Sequence, residues 1–565
     1  MKTKLYNLFK TTKLVINSRW QVKWQLSFLI GLLLGIIIFL HTYGTRILNP
    51  AYDTWLLTEW FDLSQHYVGS LLYRTGGWHF PFGLTDNSFY PYLASVIYTD
   101  SIPILSLIIK ILSPILPETF QLFGFYGLIC YALQGGFAKL ILRRVCKNEL
   151  FACLGSFFFI MCTPVYHRMY YHTALGSHYL ILAAIALFVY RDKLKTLQET
   201  ILWCLLGMLT ISTHFTLYAI ISVVFTGYLL WEILDRKKAL PAAVMLPAYL
   251  VTTIAVFYCF GGFYGSISGE ASGLGDYSAN LNSLFNPLGF SSLIKDLPHF
   301  DEQHEGNAYI GFAGIFLLLA GIPVFLKEGK YLLKNKLPLL ISLLYTHTVL
   351  WIIALSPKVT LGDKVLYTIP CPDFLLDLWS IFRSSGRFIW PVTYAVLFLG
   401  LYYCGKGYKK TFFPLLLLLV LIHFYEYSGI THNLQEQYGP EKNKSYSADV
   451  LEGYDLTEKT HLQFMHPYSF GEYYGDETRD QMIGYTMLAL RHDMTVSNFH
   501  FSRDDMDALN AQIDQSRNEV TSEDIRSDTI YVFTLDDFND TDFSGCSDRA
   551  EFIYTDTEVI VMTHY

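Results

Sequence analysis

The sequence lacks the short motifs that mark many nucleotide-driven and hydrolytic enzymes. It contains no glycine-rich phosphate loop, no GxSxG turn, no HExxH pair and no repeat of fixed period. The missing phosphate loop argues against energy coupling by ATP, and the other two absences leave no basis for a serine-hydrolase elbow or a zinc-protease helix. Any chemistry must therefore come from residues that are distant in sequence.

Cysteine and charge are also sparse. The nine cysteines form no CxxC pair and mostly lie in apolar segments, so neither a cysteine-based zinc site nor a disulfide framework is predicted. Charged residues make up 16% of the chain, whereas hydrophobic residues make up 52% and the mean hydropathy is +0.30. This balance is typical of a polytopic membrane protein embedded in a lipid bilayer.

Long apolar runs predict the membrane part. The first, Leu26–Leu40, follows a basic tail and precedes no small-residue cleavage site, so we interpret it as a retained span with a cytoplasmic N-terminus. Because a span needs roughly 20 apolar residues, the sequence predicts an α-helical polytopic fold of about 10–12 spans. The further apolar segments lie near residues 119–141, 150–163, 174–190, 199–212, 215–230, 242–260, 310–326, 337–355, 386–404 and 411–425.

Basic clusters between these runs predict the orientation, because cytoplasmic loops are enriched in lysine and arginine. The clusters are Arg143–Lys147, Arg191–Lys195, Arg236–Lys238, Lys327–Lys336 and Lys406–Lys410. With these loops inside, the connections at 42–100, 164–173, 261–309 and 356–385 face outward. The piece at 101–113 is interpreted as a short or re-entrant segment.

The net charge divides the chain into residues 1–427, the membrane domain, and residues 428–565, a soluble domain. The second part has 27 acidic and nine basic residues, a net charge of −18, whereas the first has 32 basic and 22 acidic, a net charge of +10. So acidic a tail is unsuited to nucleic acid. Runs such as TIYVFTL and IGYTMLALRHD predict strands and helices, hence a small extracytoplasmic α/β domain. We hypothesise that it helps to admit a substrate.

The first outer connection, residues 42–100, has more carboxylates and aromatic residues than a simple linker needs. Asp62 and His66 stand four apart, so a short helix places both on one face, where partial burial raises a carboxylate's pKa toward a value useful for proton transfer. The alternative is that Asp62 caps the helix and His66 packs at the interface. Asp53 and Asp100 are further carboxylates, and Trp78 lies between them.

The second outer connection, TPVYHRMYYHTALGSHY, concentrates aromatic and basic side chains. Tyr166, His167 and Arg168 suit contact with a phosphate or sugar. An interfacial aromatic belt is the competing interpretation. Zinc binding by His167, His172 and His178 is a third, although spacings of five and six residues do not place these side chains on one helical face.

The third and fourth outer connections add one acidic and two basic candidates. A glycine-rich stretch precedes Glu305, which suits either a lid that orders over a substrate or a passive connector. Arg383 and Arg387, in FRSSGRFIWP, stand four apart at the predicted start of an apolar helix. There both guanidiniums would share one face and grip a phosphate. Snorkelling to the water interface is the alternative.

These features resemble the GT-C superfamily of polytopic membrane glycosyltransferases, nearest to a bacterial YfhO-like type. The resemblance rests on the acidic first outer loop, on YP before a tyrosine-rich helix, and on the motifs EGNAYIGF and FRSSGRF, and covers roughly residues 25–427. It implies a bacterial plasma-membrane enzyme that moves a sugar from a polyprenyl-phosphate donor to a cell-envelope glycan on the outer face. Some relatives use a divalent metal and others do not, so no cofactor is assigned.

The resemblance also assigns roles to residues of this sequence. It implies that Asp62, with Asp53 second, is the catalytic carboxylate and that Arg383 or Arg387 contacts the donor phosphate, for which Arg168 of the second outer connection is a further candidate. Contact with the acceptor or the sugar falls to the remaining candidates, His66, Trp78, Asp100, Tyr166, His167 and Glu305. The competing functional classes are a flippase or transporter of lipid-linked sugars, favoured by the THF break at 213–215, and a non-catalytic envelope scaffold.

Overall fold

The computed structural model describes residues 24–57, 61–146, 148–236, 239–264, 273–408, 411–439, 449–451, 453–467, 476–503, 505–522, 525–546 and 548–563. The basic N-terminal tail, Lys147 and much of the glycine-rich stretch lie outside these ranges.

The described chain is mostly helical up to residue 438, with two short hairpins. The helices are α1 (Trp24–Tyr43), α2 (Thr54–Leu57), α3 (Phe61–Thr75), α4 (Pro103–Leu112), α5 (Phe123–Val145), α6 (Glu149–Ile160), α7 (Thr163–Arg168), α8 (Tyr179–Tyr190), α9 (Thr196–Ile211), α10 (Phe215–Arg236), α11 (Ala239–Cys259), α12 (Gly311–Asn335), α13 (Leu337–Leu355), α14 (Asp373–Ser380), α15 (Trp390–Tyr408), α16 (Phe412–Glu426) and α17 (Ser428–Tyr438). The hairpin strands are β1 (Leu84–Thr85), β2 (Ala94–Ser95), β3 (Lys358–Leu361) and β4 (Lys364–Thr368).

Seven helices in the described part of the chain are long and apolar enough to cross a membrane: α1, α5, α10, α11, α12, α13 and α15. An eighth crossing is available if α16 and α17, bent by 46° at their junction, act together. These are fewer than the 10–12 spans predicted, because α6 and α9 are shorter apolar helices and α8 has only 12 residues. The set is consistent with a multi-pass membrane protein.

Helices α1 and α5 cross at very short range because glycines line both faces. A Cβ on Gly31 would lie 2.4 Å from the carbonyl oxygen of Gly135, and one on Gly35 would lie 1.9 Å from that of Tyr131. Small residues four apart let helix backbones approach closely, which is how apolar helices associate without a hydrophobic driving force between them. The crossing holds the beginning of the described chain against the bundle.

The bundle has two chemically different ends. Arg144, near the end of α5, donates two hydrogen bonds of 2.7 and 2.8 Å to Asp192, just beyond α8. Two of the basic clusters identified in the sequence therefore meet at one end. Lys406 lies in the last turn of α15, whereas Arg387 precedes that helix by three residues. The outer connections predicted from the sequence lie at the opposite end.

Residues 461–563 form the predicted α/β domain. Its strands are β5 (His461–Phe464), β6 (Thr495–Val496), β7 (Thr529–Thr534), β8 (Ala550–Tyr554) and β9 (Glu558–Thr563), and its helices are α18 (Asp476–Arg491), α19 (Met506–Thr521) and α20 (Leu535–Asn539). The sheet order is β6-β5-β7-β9-β8, with the first three strands parallel and the last two added antiparallel. The strands and helices predicted from TIYVFTL and IGYTMLALRHD are confirmed.

This domain docks on the first outer connection. The backbone of Tyr90 donates to Val496 at 3.0 Å, and the Tyr90 ring stacks on His461 with centroids 4.0 Å apart. Gln65 of α3 donates to the carbonyl oxygen of His500 at 2.9 Å. The segment before the domain packs on the helical bundle instead: the ring of Tyr438 in α17 contacts that of Tyr43 at the end of α1, with centroids 5.7 Å apart. The domain therefore lies at the end of the bundle that carries the outer connections.

We expect Gly35→Ala to lower the thermal unfolding midpoint of the detergent-solubilised protein. The added methyl group meets backbone, which cannot rotate away, and overpacking of this kind costs about 1–3 kcal/mol. Gly329→Ala is the matched control: it lies within α12 with nothing within 4 Å of the added Cβ. Alanine is favoured over glycine in helices by about 1 kcal/mol, so the control should melt no lower than the wild type. Equal destabilisation by both substitutions would contradict the proposed close crossing.

Candidate functional site

A buried carboxylate shared by two guanidiniums forms the centre of the site. Arg168 Nη2 lies 2.6 Å from Glu305 Oε2, and Arg387 Nε donates to the same oxygen at 2.7 Å. The side chains of Arg168 and Glu305 are only 1% and 9% exposed. Burial alone would raise the pKa of Glu305, but the two guanidiniums outweigh this and hold its pKa well below the usual value. The carboxylate is therefore ionised at neutral pH.

Local backbone features bring these three side chains together from different outer connections. Arg168 ends the short helix α7, Glu305 lies in the 3-10 turn Asp301–Gly306, and Arg387 lies in the 3-10 turn Ser385–Ile389. The two turns touch through glycines, since a Cβ on Gly386 would lie 2.7 Å from the Cα of Gly306. Larger residues there would separate Glu305 from Arg387.

A second buried carboxylate fixes the chain just after Glu305. Glu426, at the end of α16, accepts hydrogen bonds from Tyr309 Oη at 2.6 Å, Ser291 Oγ at 2.7 Å and the backbone nitrogen of Phe312 at 2.8 Å. Three donors satisfy a carboxylate that is fully buried. The EGNAYIGF segment noted in the sequence is thereby anchored at the start of α12.

Asp62 lies beside this charged centre, in the first turn of α3. Loss of hydration is the largest cause that raises its pKa to about 6, and the negative charges of Glu305 and Asp100 add to it. The positive charges of Arg168 and Arg387 act in the opposite direction. Such a carboxylate is ionised at neutral pH yet basic enough to take a proton.

Three histidines and Asp100 form a second cluster next to Asp62. The rings of His66 and His172 have centroids 4.5 Å apart, and those of His172 and His214 are 5.1 Å apart. Asp100 lies between two of them, with oxygens 3.7 Å from His172 Nε2 and 3.6 Å from His214 Nε2. Burial lowers the pKa of His66 and His172 well below the usual value. The ligand atoms of His66, Asp100 and His172 all lie within 4.8 Å of one another.

The structure places the predicted site residues in two groups. Asp62, His66, Asp100, Arg168, Glu305 and Arg387 meet in the region just described. His167 lies at its edge, with ring contacts to Phe290 and His304 at 5.5 and 5.9 Å between centroids. His214 was recognised in the sequence only as a break between apolar runs. A polar residue between two apolar helices is the sequence signal that could have identified His214 as a site residue.

The other predicted residues lie elsewhere. Asp53 accepts a hydrogen bond from Tyr67 at 3.1 Å, and Tyr166 is buried against Tyr427 with ring centroids 5.6 Å apart. Trp78 is 57% exposed and lies beyond the C-terminal end of α3, whereas Asp62 is in its first turn. A helix of 15 residues is about 22 Å long, so Trp78 does not reach the site.

The predicted pairing of Arg383 and Arg387 on one helical face is wrong. Arg383 lies in a turn after α14 and Arg387 in a separate 3-10 turn, because the helix that both were expected to begin starts only at Trp390. A four-residue spacing aligns side chains only within a continuous α-helix. The guanidinium of Arg383 instead packs over the Tyr277 ring, 5.6 Å from its centroid.

The zinc site considered as a third interpretation of the second outer connection does not match the structure. His178 Nδ1 hydrogen bonds to Tyr394 Oη at 2.8 Å, His167 faces Phe290, and His172 alone joins the Asp100 cluster. The three rings diverge because the chain turns repeatedly after α7, as their spacings indicated.

Comparison with protein families adds a classification. A family model described as "Domain of unknown function (DUF6311)" matches residues 32–428. The chain belongs to this family. A second model, the DUF6311 C-terminal domain, matches residues 456–563 and coincides with the docked α/β domain. No curated protein matches the chain. The DUF6311 region contains every charged residue of the candidate site.

We expect Glu305→Gln to destabilise the protein by about 3 kcal/mol or more, because removing one partner of a buried ion pair leaves uncompensated charge. Here two guanidiniums lose their common carboxylate. Thermal unfolding in detergent measures the effect. Glu436→Gln is the matched control, since Glu436 is 69% exposed and pairs with the exposed His432 on its own helix. If Glu305→Gln unfolds at the same temperature as Glu436→Gln, Glu305 does not stabilise the contact between the outer connections.

Proposed function

We propose that the protein is a membrane glycosyltransferase that moves a sugar from a polyprenyl-phosphate donor to a hydroxyl of a cell-envelope glycan. The observation that carries the proposal is the convergence of Asp62 with Arg168 and Arg387, whose side chains are 1% and 12% exposed, at the end of an apolar helical bundle. A lipid donor needs this arrangement, because its tail stays in hydrocarbon while its phosphate and sugar reach the water boundary. The resemblance of the outer loops to GT-C enzymes supports the same reaction class.

The arginines supply an anion site. Both guanidiniums contact the same oxygen of Glu305. Nε and Nη1 of Arg168 are buried and have no hydrogen-bond partner among the described residues. Unpaired buried donors are costly, so a ligand that accepts hydrogen bonds is favoured there. A phosphate matches both the charge and the planar donor arrangement of arginine.

Asp62 supplies the base. The acceptor hydroxyl attacks the anomeric carbon of the donor sugar, its oxygen forms the new glycosidic bond, and its proton passes to the Asp62 carboxylate. The bond between the anomeric carbon and the phosphate oxygen breaks, and the polyprenyl phosphate leaves with the electron pair, stabilised by Arg168 and Arg387. No nucleotide takes part. Attack opposite the leaving group predicts inversion at the anomeric carbon.

The charge distribution supports an outward-facing site in a bacterial plasma membrane. Arg144 and Lys406 lie at the end of the bundle away from the candidate site. If that end is cytoplasmic, as the positive-inside rule predicts, the site and the docked acidic domain face outward. Ionisable residues within apolar helices would favour a transporter, but two histidines there contact backbone: His423 Nε2 lies 3.1 Å from the carbonyl oxygen of Met161, and His347 Nδ1 lies 2.7 Å from that of Leu343.

We expect Asp62→Asn to lower the transfer rate from polyprenyl-phosphate sugars by about 10²–10⁴-fold, the usual contribution of a positioned base. Because the pKa of Asp62 is raised to about 6, the wild-type rate should increase with pH through this value as the base form appears. The variant should lose that dependence. Rates in detergent or proteoliposomes across pH 5 to 8 measure both effects.

Asp53→Asn is the control, since Asp53 contacts Tyr67. Its transfer rate should stay within a few-fold of the wild type. Full activity in Asp62→Asn, or equal losses in both variants, would contradict the assignment of Asp62. Movement of lipid-linked sugar across vesicles without transfer to an acceptor would favour a flippase instead.

We expect Arg387→Lys to reduce kcat/KM for the lipid donor by about 10–100-fold, because lysine keeps the charge but loses the fork of donors that grips phosphate. Arg383→Lys changes the same residue type four positions away, over Tyr277, and should have a smaller effect. Titrations of the lipid donor at saturating acceptor measure kcat/KM for both variants. A loss confined to the KM of the acceptor would contradict donor-phosphate binding by Arg387.

A further inference from the structure

We propose that His66, Asp100 and His172 bind one divalent transition-metal ion, of which zinc is the representative. The three residues come from three elements: His66 from α3, Asp100 from the turn before α4, and His172 from the turns after α7. The inference concerns metal binding and does not rest on the proposed transfer reaction.

The spacing of the ligand atoms fits a single ion. Nitrogen and oxygen ligands lie about 2.1 Å from zinc, so two ligands of a tetrahedral ion are about 3.4 Å apart. The three atoms here all lie within 4.8 Å of one another. Binding therefore needs the side chains to close by about an ångström. His66 and His172 are buried, whereas the Asp100 side chain is 21% exposed, which leaves a route from solvent.

The backbone around Asp100 is arranged to present this carboxylate. Asp100 and Ile102 both adopt left-handed conformations with φ of 54°, which is strained for a β-branched residue such as Ile102. The turn lies against α3 at Gly69, where a Cβ would be 2.7 Å from Ser101 Oγ. Because Gly69 lies one turn after His66, this close contact brings Asp100 to His66.

His214 supports Asp100 without being a ligand. Its Nδ1 accepts a hydrogen bond from the backbone nitrogen of Thr216 at 3.0 Å, so in the neutral ring the proton is on Nε2. That N–H faces Asp100 Oδ1 at 3.6 Å, while the other oxygen, Oδ2, faces His172. At 3.6 Å this contact is too long for a hydrogen bond, and closure of the site on an ion would bring the N–H to Oδ1 as the outer donor that orients a ligating carboxylate.

A metal-free hydrogen-bond network accounts for the cluster less well. The separations of 3.7 and 3.6 Å between Asp100 and its histidines exceed the 2.7–3.2 Å of hydrogen bonds to nitrogen. Nδ1 of His66 is buried and has no hydrogen-bond partner among the described residues, and Nε2 of His172 faces Asp100 at 3.7 Å without a hydrogen bond to it. Burying unpaired ring nitrogens is unfavourable, whereas a cation placed between the rings and the carboxylate would compensate for it.

The ligand types indicate which cations fit. Two imidazoles and one carboxylate suit zinc, manganese or iron(II), whereas magnesium and calcium prefer oxygen ligands alone. Three protein ligands leave at least one coordination position open, which is the pattern of sites that bind water or substrate. Asp62 lies on the same face of α3 as His66, one turn earlier, so an ion here would be next to the carboxylate that faces Arg168 and Arg387.

The test uses the full-length protein, purified without an affinity tag, stripped with EDTA and passed into metal-free buffer. Zinc bound per chain is then measured by mass spectrometry after equilibrium dialysis. Cobalt(II), added to the stripped protein, reports the ligand set by its visible absorption. We expect one ion per chain, cobalt bands of a four- or five-coordinate site, and a thermal unfolding midpoint that increases with zinc.

Asp100→Asn, nearly the same shape as the wild type, and His172→Ala should weaken zinc binding by about 100-fold or abolish the cobalt bands. His432→Ala is the matched control, because this histidine is 68% exposed on α17, and it should bind as the wild type does. Size-exclusion profiles identify variants that do not fold. Should His172→Ala misfold, Asp100→Asn and the zinc-dependent melting of the wild type still decide the question.

Stripped wild type that binds no zinc, or Asp100→Asn that binds as well as the wild type, would overturn the proposal. Binding lost equally in His432→Ala would show surface capture and also overturn it. The outcome is separable from the transferase proposal. Transfer by a protein that binds no metal removes only the metal site, and stoichiometric metal without transfer removes only the transferase.

Discussion

The architecture of the outer end depends on one shared carboxylate. Glu305 receives Arg168 from the connection after α6 and Arg387 from the connection before α15, so one oxygen links segments more than 200 residues apart. Burying three charges is costly unless they compensate one another. The cost also makes the arrangement specific, because other placements of these loops would leave a charge unpaired in an apolar environment. The glycine contact between the two turns and the anchoring by Glu426 make this geometry attainable.

Around this centre the acidic side chains differ in environment and therefore in chemistry. Glu305 is held ionised by two cations, whereas Asp62, with weaker compensation for its loss of hydration, has a pKa raised to about 6. Two carboxylates whose pKa values differ in this way suit different purposes, one structural and one proton transfer. Asp100 is directed to the histidines instead. The site thus brings two guanidiniums, a carboxylate with a raised pKa and a cluster of imidazoles into one region.

The sequence identified most residues of this site but not which of them contact one another. Apolar length and charge identified the helical bundle, the acidic domain and the outer connections, since these follow from composition. Asp62 and His66 were found because they lie on one continuous helix. The prediction that Arg383 and Arg387 share one helical face was wrong because their four-residue spacing does not reveal that the chain between them is not helical. The partners of Asp100 come from three connections, and its left-handed backbone depends on close packing against Gly69, which no local pattern encodes.

The docking of the last domain on the first outer connection affects how the protein is made. Gln65 and Tyr90 belong to segments that emerge early from the ribosome, whereas His500 and Val496 are synthesised after all the long apolar helices. The C-terminal sheet can therefore cover the flank of α3 beside His66 only after all the long apolar helices have been synthesised. A nascent chain at any earlier stage lacks this cover, and Gln65 lacks its partner.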